Sequence, residues 1–229
     1  MKKHIIRYAS FAFAILGMVS CSEEQETALR SQDAKSTPMT FLVSHPGQAT
    51  RATETSFEQN DRIGLYVADA KAQLEIGGNL VNNEALTYDG SKWAAARTLY
   101  WDKGTYTAYA YYPYMEEVSS ITDQPFSVVL DQSTAKSKEA LGGYEASDLL
   151  FASSKNISAS ASPIPLNFKH IMSKLKIRLV KGEDFEGDMP TTAQVTIHNT
   201  VPTATIDLQA GVATRYVKGT RKSIIAHQD

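Results

Sequence analysis

An all-β fold, a β-sandwich unit followed by the start of a second, is what the sequence predicts, and three observations predict it. From Pro38 onward apolar residues recur with period two, the spacing at which side chains alternate across a strand, rather than the 3.6 of a helix. Gly, Pro, Asn and Asp punctuate these runs at short intervals, and no segment carries a helical face of convincing length. A chain of 229 residues with 42% hydrophobic and 21% charged residues also has enough apolar material to bury a real core.

The elements follow in order. Met39-Thr-Phe-Leu-Val-Ser44 predicts a first strand, with Met39, Phe41 and Val43 at alternate positions. Asn60-Asp61 supplies a turn before a second strand, Arg62 to Val67. Leu86 to Tyr88 and Lys92-Trp93 flank Asp89-Gly90, a pair that tolerates positive φ and favours a type I′ hairpin. Thr98 to Trp101 and Thr105 to Tyr112, separated by Asp102-Lys-Gly104, predict a second hairpin that Pro113 ends, because proline cannot donate to a ladder. Phe126 to Leu130 and Asp148 to Ala152 are shorter strands, with a Ser/Ala-rich loop expected over Ser153 to Ser162. The period-two signal is clearest in Lys174 to Leu179, where Leu175, Ile177 and Leu179 face one way and Lys174, Lys176 and Arg178 the other.

Gly182 to Pro190 is turn-rich and acidic, so a boundary between two β units is placed there. The expected organisation is a signal over 1–20, a tether over 21–38, an N-terminal β-sandwich domain over 39–181 and an apparently truncated β domain over 182–229. Gln194 to His198 and Ala204 to Leu208 begin the last of these. Only 40 residues follow Met189, against about 100 in a sandwich of immunoglobulin size. Either the chain is the front part of a longer product, or its last strands complete the first sheet or a neighbour's.

The N-terminus reads as an address. Lys2, Lys3 and Arg7 precede the apolar run Tyr8 to Val19, which at twelve residues is too short to cross a bilayer. Met18-Val-Ser-Cys21 resembles a bacterial lipobox, in which the cysteine is acylated and becomes the mature terminus; Cys21 is the sole cysteine of the chain. Several acyl chains on one residue tether a protein firmly, at about 0.8 kcal/mol per buried CH₂. The polar, acidic residues after Cys21 then read as a solvated tether.

Composition also excludes. A net charge of −2 leaves no broad basic surface for a phosphate backbone, so nucleic acid is not an expected partner. Glycine-rich phosphate loops, Gly-x-Ser-x-Gly, His-Glu-x-x-His and Cys-x-x-Cys are absent, so no enzyme, metal or other cofactor is expected. Seven aromatics, Tyr100, Trp101, Tyr106, Tyr109, Tyr111, Tyr112 and Tyr114, fall within fifteen residues. They read either as core filling on a pleated surface or as a platform on which a surface glycan binder would stack sugar rings.

Phe57 to Val67, Tyr100-Trp101, Tyr109-Ala-Tyr-Tyr-Pro-Tyr114, Asp148 to Ala152 and Leu166 to Ile177 resemble, in order and spacing, the successive motifs of the Bacteroidales fimbrillin family, Mfa-like and FimA-like. The resemblance covers roughly Met39 to Leu179. It implies transthyretin-like β-sandwich domains and a stalk, anchor or tip subunit of a surface fimbria, exposed on the outer membrane through lipidated Cys21. It further implies cleavage after an arginine behind the first strand, here Arg51, removal of the strand carrying Met39, Phe41 and Val43, and its replacement by a strand from another fimbrial subunit. A host or bacterial surface ligand is a further implied partner.

Overall fold

The computed structural model describes residues 37–47, 56–137 and 140–228. Its centre is a six-stranded antiparallel sheet. β2 (Arg62–Asp69) and β5 (Thr105–Tyr112) lie side by side in the middle, flanked by β3 (Val81–Tyr88) and β4 (Trp93–Ala95) on one side and by β7 (Leu150–Ser158) and β9 (Lys169–His170) on the other.

The pleat explains how the interiors of the two central strands are buried on both faces. Ile63, Leu65 and Val67 of β2 and Tyr106, Ala108, Ala110 and Tyr112 of β5 enter one apolar cluster. Their alternate neighbours Tyr66, Ala68, Tyr109 and Tyr111 enter a second cluster on the opposite face. Gly64 stands opposite Tyr111 in the ladder, and a Cβ there would overlap the Tyr111 ring, so glycine is what lets the phenol lie across β2.

Each face is covered by a smaller layer. Over the first cluster lies a parallel pair, β1 (Phe41–Ser44) with β8 (Ile164–Asn167), whose Ile164 and Leu166 point inward while Pro165 and Asn167 face water. Over the second lies a three-stranded sheet in which β11 (Thr203–Asp207) pairs with both β6 (Gln124–Ser127) and β12 (Val212–Arg215). Ile206 and Leu208 fill that second cluster beside Phe151 and Ile121. The 203–207 strand is thus laid against one from the earlier part of the chain. A last antiparallel pair joins β10 (Thr196–Thr200) to β13 (Lys222–Ile225). No α-helix occurs among the described residues; a 3-10 turn at Glu145–Ser147 is the one helical element.

Four local expectations change. Lys174 to Leu179 forms no ladder, and Leu175, Ile177 and Leu179 are 68%, 47% and 52% exposed. Thr98 to Trp101 does not form a hairpin with β5; Tyr100 makes a lone bridge to Pro38, and β5 spends both its edges on β2 and β7, where both faces can be buried. β7 runs on through Ser158, into residues expected as loop, because its partner β5 extends alongside it. The β3–β4 hairpin forms, but the Asp89 N–H donates to Lys92 O and Gly90 alone has positive φ, 99°, which excludes type I′ with its two left-handed residues.

Candidate functional site

β1 is the element to which the expected chemistry of assembly attaches. Its alternation places Met39 (6% exposed) and the half-buried Phe41 and Val43 against the first cluster, while Leu42, 64% exposed, faces outward. Backbone bonds hold it at both ends. Met39 N–H donates to Leu99 O at 2.8 Å and Trp101 N–H to Thr37 O at 3.1 Å, so the run before β1 clips onto the 99–101 segment. Further on, Ile164 N–H donates to Thr40 O at 2.8 Å, Phe168 N–H to Ser44 O at 3.0 Å, and Ser44 Oγ to Asn167 Oδ1 at 2.7 Å. Within the described residues β8 is the sole ladder partner of β1; the opposite edge is bonded to residues 99–101 at Thr37 and Met39 and makes no ladder beyond Met39.

β1 packs on an apolar surface. Leu99, Trp101, Ile164, Leu166 and Phe168 are all buried in the same cluster, so the surroundings of the strand are apolar; among the described residues β8 has β1 as its ladder partner, and the 99–101 segment bridges to the run before β1.

The chain leaves β1 and re-enters the fold at nearly one point. His45 packs edge-on against Phe57, ring centroids 4.9 Å apart, and against His170 at 6.0 Å. Phe57 is in turn gripped by Trp93 (5.0 Å), Tyr112 (5.6 Å) and Phe168 (5.6 Å). Arg51 lies between these two anchored residues but, like Cys21, falls outside the described residues.

Polar groups beside this aromatic knot are already paired. Buried Asp61 accepts the Glu58 N–H at 2.8 Å and the Lys136 ammonium at 2.7 Å, and Lys136 also meets Glu58 at 3.1 Å. Burial draws the Lys136 pKa down, but the hydrogen bonds and charges of Asp61 and Glu58 outweigh it and hold the ammonium above its ordinary value. An open cleft of about 590 Å³ runs past these residues to Arg62 and Tyr114, where the guanidinium sits 4.4 Å over the ring. No group of three His, Cys, Asp or Glu side chains among the described residues is disposed to hold a metal.

The aromatic cluster divides unevenly. Trp101, Tyr106, Tyr109, Tyr111 and Tyr112 are buried in the two cores; Tyr114 is half-buried under Arg62, and Tyr100 is exposed. Five of the seven rings are therefore unavailable as a sugar platform. No local pattern singles out His45, Phe57 or His170 as site residues; they are far apart in the chain, and the fold brings them together.

Comparison with known proteins is consistent with this architecture. The model of the family described as fimbrillin-like matches residues 50–229. A protein of Bacteroides ovatus, named as a candidate fimbrium tip subunit, Fim1C, is 27% identical over 196 residues, which is 78% of this chain and 36% of the relative. This chain thus spans about a third of that relative's length. The crystal structure of a candidate cell adhesion protein from Bacteroides ovatus aligns at a TM-score of 0.56 with 18% identity, covering 82% of this chain and 70% of that one. Another, from Bacteroides uniformis, aligns at 0.55 with 20% identity, covering 84% and 70%. At such identities these two structures share the fold.

Proposed function

This chain belongs to the fimbrillin-like family, and from that premise we propose that it is a lipid-anchored fimbrial subunit whose first strand is cut away after Arg51 and replaced by a strand from another subunit. The observation that carries the reading is the separability of β1. Among the described residues its one ladder is with β8, its other edge is clipped to residues 99–101 only at its start, it places one deep anchor, Met39, in the core, and the chain on either side of Arg51 is fastened at adjacent points, His45 and Phe57. A cut between those points frees β1 without touching a strand of the central sheet. The vacated floor offers apolar pockets at alternate positions, and the backbone of β8 offers its ladder groups, so an incoming strand gains what β1 gave up. Cys21 is the lipidation site in this reading and residues 21–38 the tether that reaches the first strand.

Limited trypsin treatment of the non-lipidated protein tests it. The expected product is a stable core beginning at Ala52, separated from a peptide containing β1, and an SDS-resistant ladder in unboiled samples once subunits exchange strands. A core that keeps Arg51 uncut while surface loops are digested would overturn the reading. Cys21→Ala should abolish lipid labelling and membrane retention, and retention without lipid would remove Cys21 from the scheme.

A further inference from the structure

We infer that His45 is an acid-sensitive latch on β1: neutral, it closes the end of the strand against Phe57 and His170, and protonated it loosens that end. Its physical basis is independent of assembly, whereas its consequence, easier departure of β1 in mild acid, rests on the strand-removal reading above.

Position makes the case first. His45 directly follows Ser44, whose carbonyl accepts the Phe168 N–H in the last bond between β1 and the β8 side. Its ring packs against both Phe57 and His170, and its Nδ1 is buried with no hydrogen-bond partner among the described residues. A proton arriving there would need an acceptor, and the carboxylates of Asp148, Asp61 and Glu58 nearby already hold other partners. Asp148 Oδ1 lies 2.8 Å from His170 Nδ1. Asp61 is held by Lys136 and the Glu58 N–H, and Glu58 by Lys136. Glu145 and the Tyr112 phenol complete the titratable lining of the cavity that His45 shares with them, a space of about 30 Å³.

Electrostatics point the same way. Burial, and then the charge His170 would carry, hold the His45 pKa below its ordinary 6.5, while Asp148 and Asp61 pull more weakly upward. A released His45 returns to the ordinary value, so the free strand takes up its proton first. Docking of β1 is therefore undiminished above pH 6.5 and weakens as the pH falls from 6.5 towards the docked value. Inside that window each pH unit shifts the balance towards release by up to about tenfold.

Amide hydrogen exchange on the intact chain at pH 7.5 and 5.5, corrected for the intrinsic pH dependence of exchange, reads the latch directly. The Phe168 amide and the β1 amides are expected to lose up to about tenfold in protection at pH 5.5, while those of β2 and β5 hold. His45→Phe, which keeps an aromatic ring but cannot be protonated, should abolish the loss, and His45→Gln repeats the test without the ring. No loss in the wild type, or an equal loss in both variants, overturns the latch. In the trypsin-nicked chain, departure of the β1 peptide at equal rates at both pH values also overturns it and leaves strand removal standing. Retention of the peptide at both values, with His45-dependent loss of protection, supports the latch and overturns strand removal.

Discussion

β5 and residues 174–179 begin with the same credential and end differently. Both read as strands from the sequence, yet β5 is buried along nearly its whole length between β2 and β7, whereas Leu175, Ile177 and Leu179 project into solvent from a segment with no ladder among the described residues. Strand propensity is a statement about one surface of one segment. A strand exists when a neighbour supplies its backbone partners and a second layer covers its apolar face. β5 has both because β2 and β7 flank it and the two core clusters lie on either side; the 174–179 segment has neither among the described residues.

Truncation of core leucines should break the comparison most plainly. Leu65→Ala on β2, fully buried, is expected to cost about 2–5 kcal/mol, and Leu175→Ala less than about 0.5 kcal/mol, both read from urea midpoints. A Leu175 variant as damaging as the Leu65 one would mean that residues 174–179 are packed in solution, and the contrast would fall.

Glycine substitutions sharpen it at smaller amplitude. Gly64→Ala must push the Tyr111 ring aside and is expected to cost about 1–3 kcal/mol. Gly182→Ala, where an added methyl meets nothing within 4 Å, should stay within about 0.5 kcal/mol in the same denaturation assay. Equal costs would show that Tyr111 yields freely and that the central sheet is looser than its burial implies.

Buried phenols in the second core give the smallest effects, and the exposed segment has no counterpart to them. Burial, with Tyr114 nearby, pushes the Tyr66 pKa up to about 12, and burial raises that of Tyr111 against the Met115 backbone N–H, which donates to its oxygen. Folding favours the protonated phenols, so their contribution is whole below pH 10 and drains as the pH climbs from 10 towards 12. The thermal midpoint should fall over that range, less steeply in Tyr66→Phe. At neutral pH the two hydroxyls differ. Tyr111 donates to Asn83 Oδ1 at 2.5 Å, so Tyr111→Phe should cost about 1 kcal/mol, whereas the Tyr66 hydroxyl, without a hydrogen-bond partner among the described residues, can be removed at about zero cost or with a slight gain. A larger loss in Tyr66→Phe would reveal a bond that this hydroxyl makes in solution.

Much of the strand content was legible because it is written locally. Alternation marked β1, β2 and β5, Pro113 marked the end of β5, and the Asp89-Gly90 pair marked the β3–β4 hairpin, although the bend itself falls one residue later. Partner choice was not legible. Nothing near Phe41 announces that its parallel neighbour is Ile164, and nothing near Thr203 announces Ser127. The candidate site shows the same division. Met39, Phe41 and Val43 could be read as one alternating set, but not the floor they cover or the meeting of His45, Phe57 and His170, because those contacts join residues far apart in the chain.

By itself the sequence determined that this protein is built of strands, where several of them begin and end, and that it resembles a fimbrial subunit family, because period, turn chemistry and motif order depend on near neighbours. The tertiary structure alone decided which strands pair, that five rings of the aromatic cluster are buried rather than displayed, and that the clearest alternating run forms no ladder. Those outcomes turn on which distant surfaces meet and exclude water, and no local pattern encodes that.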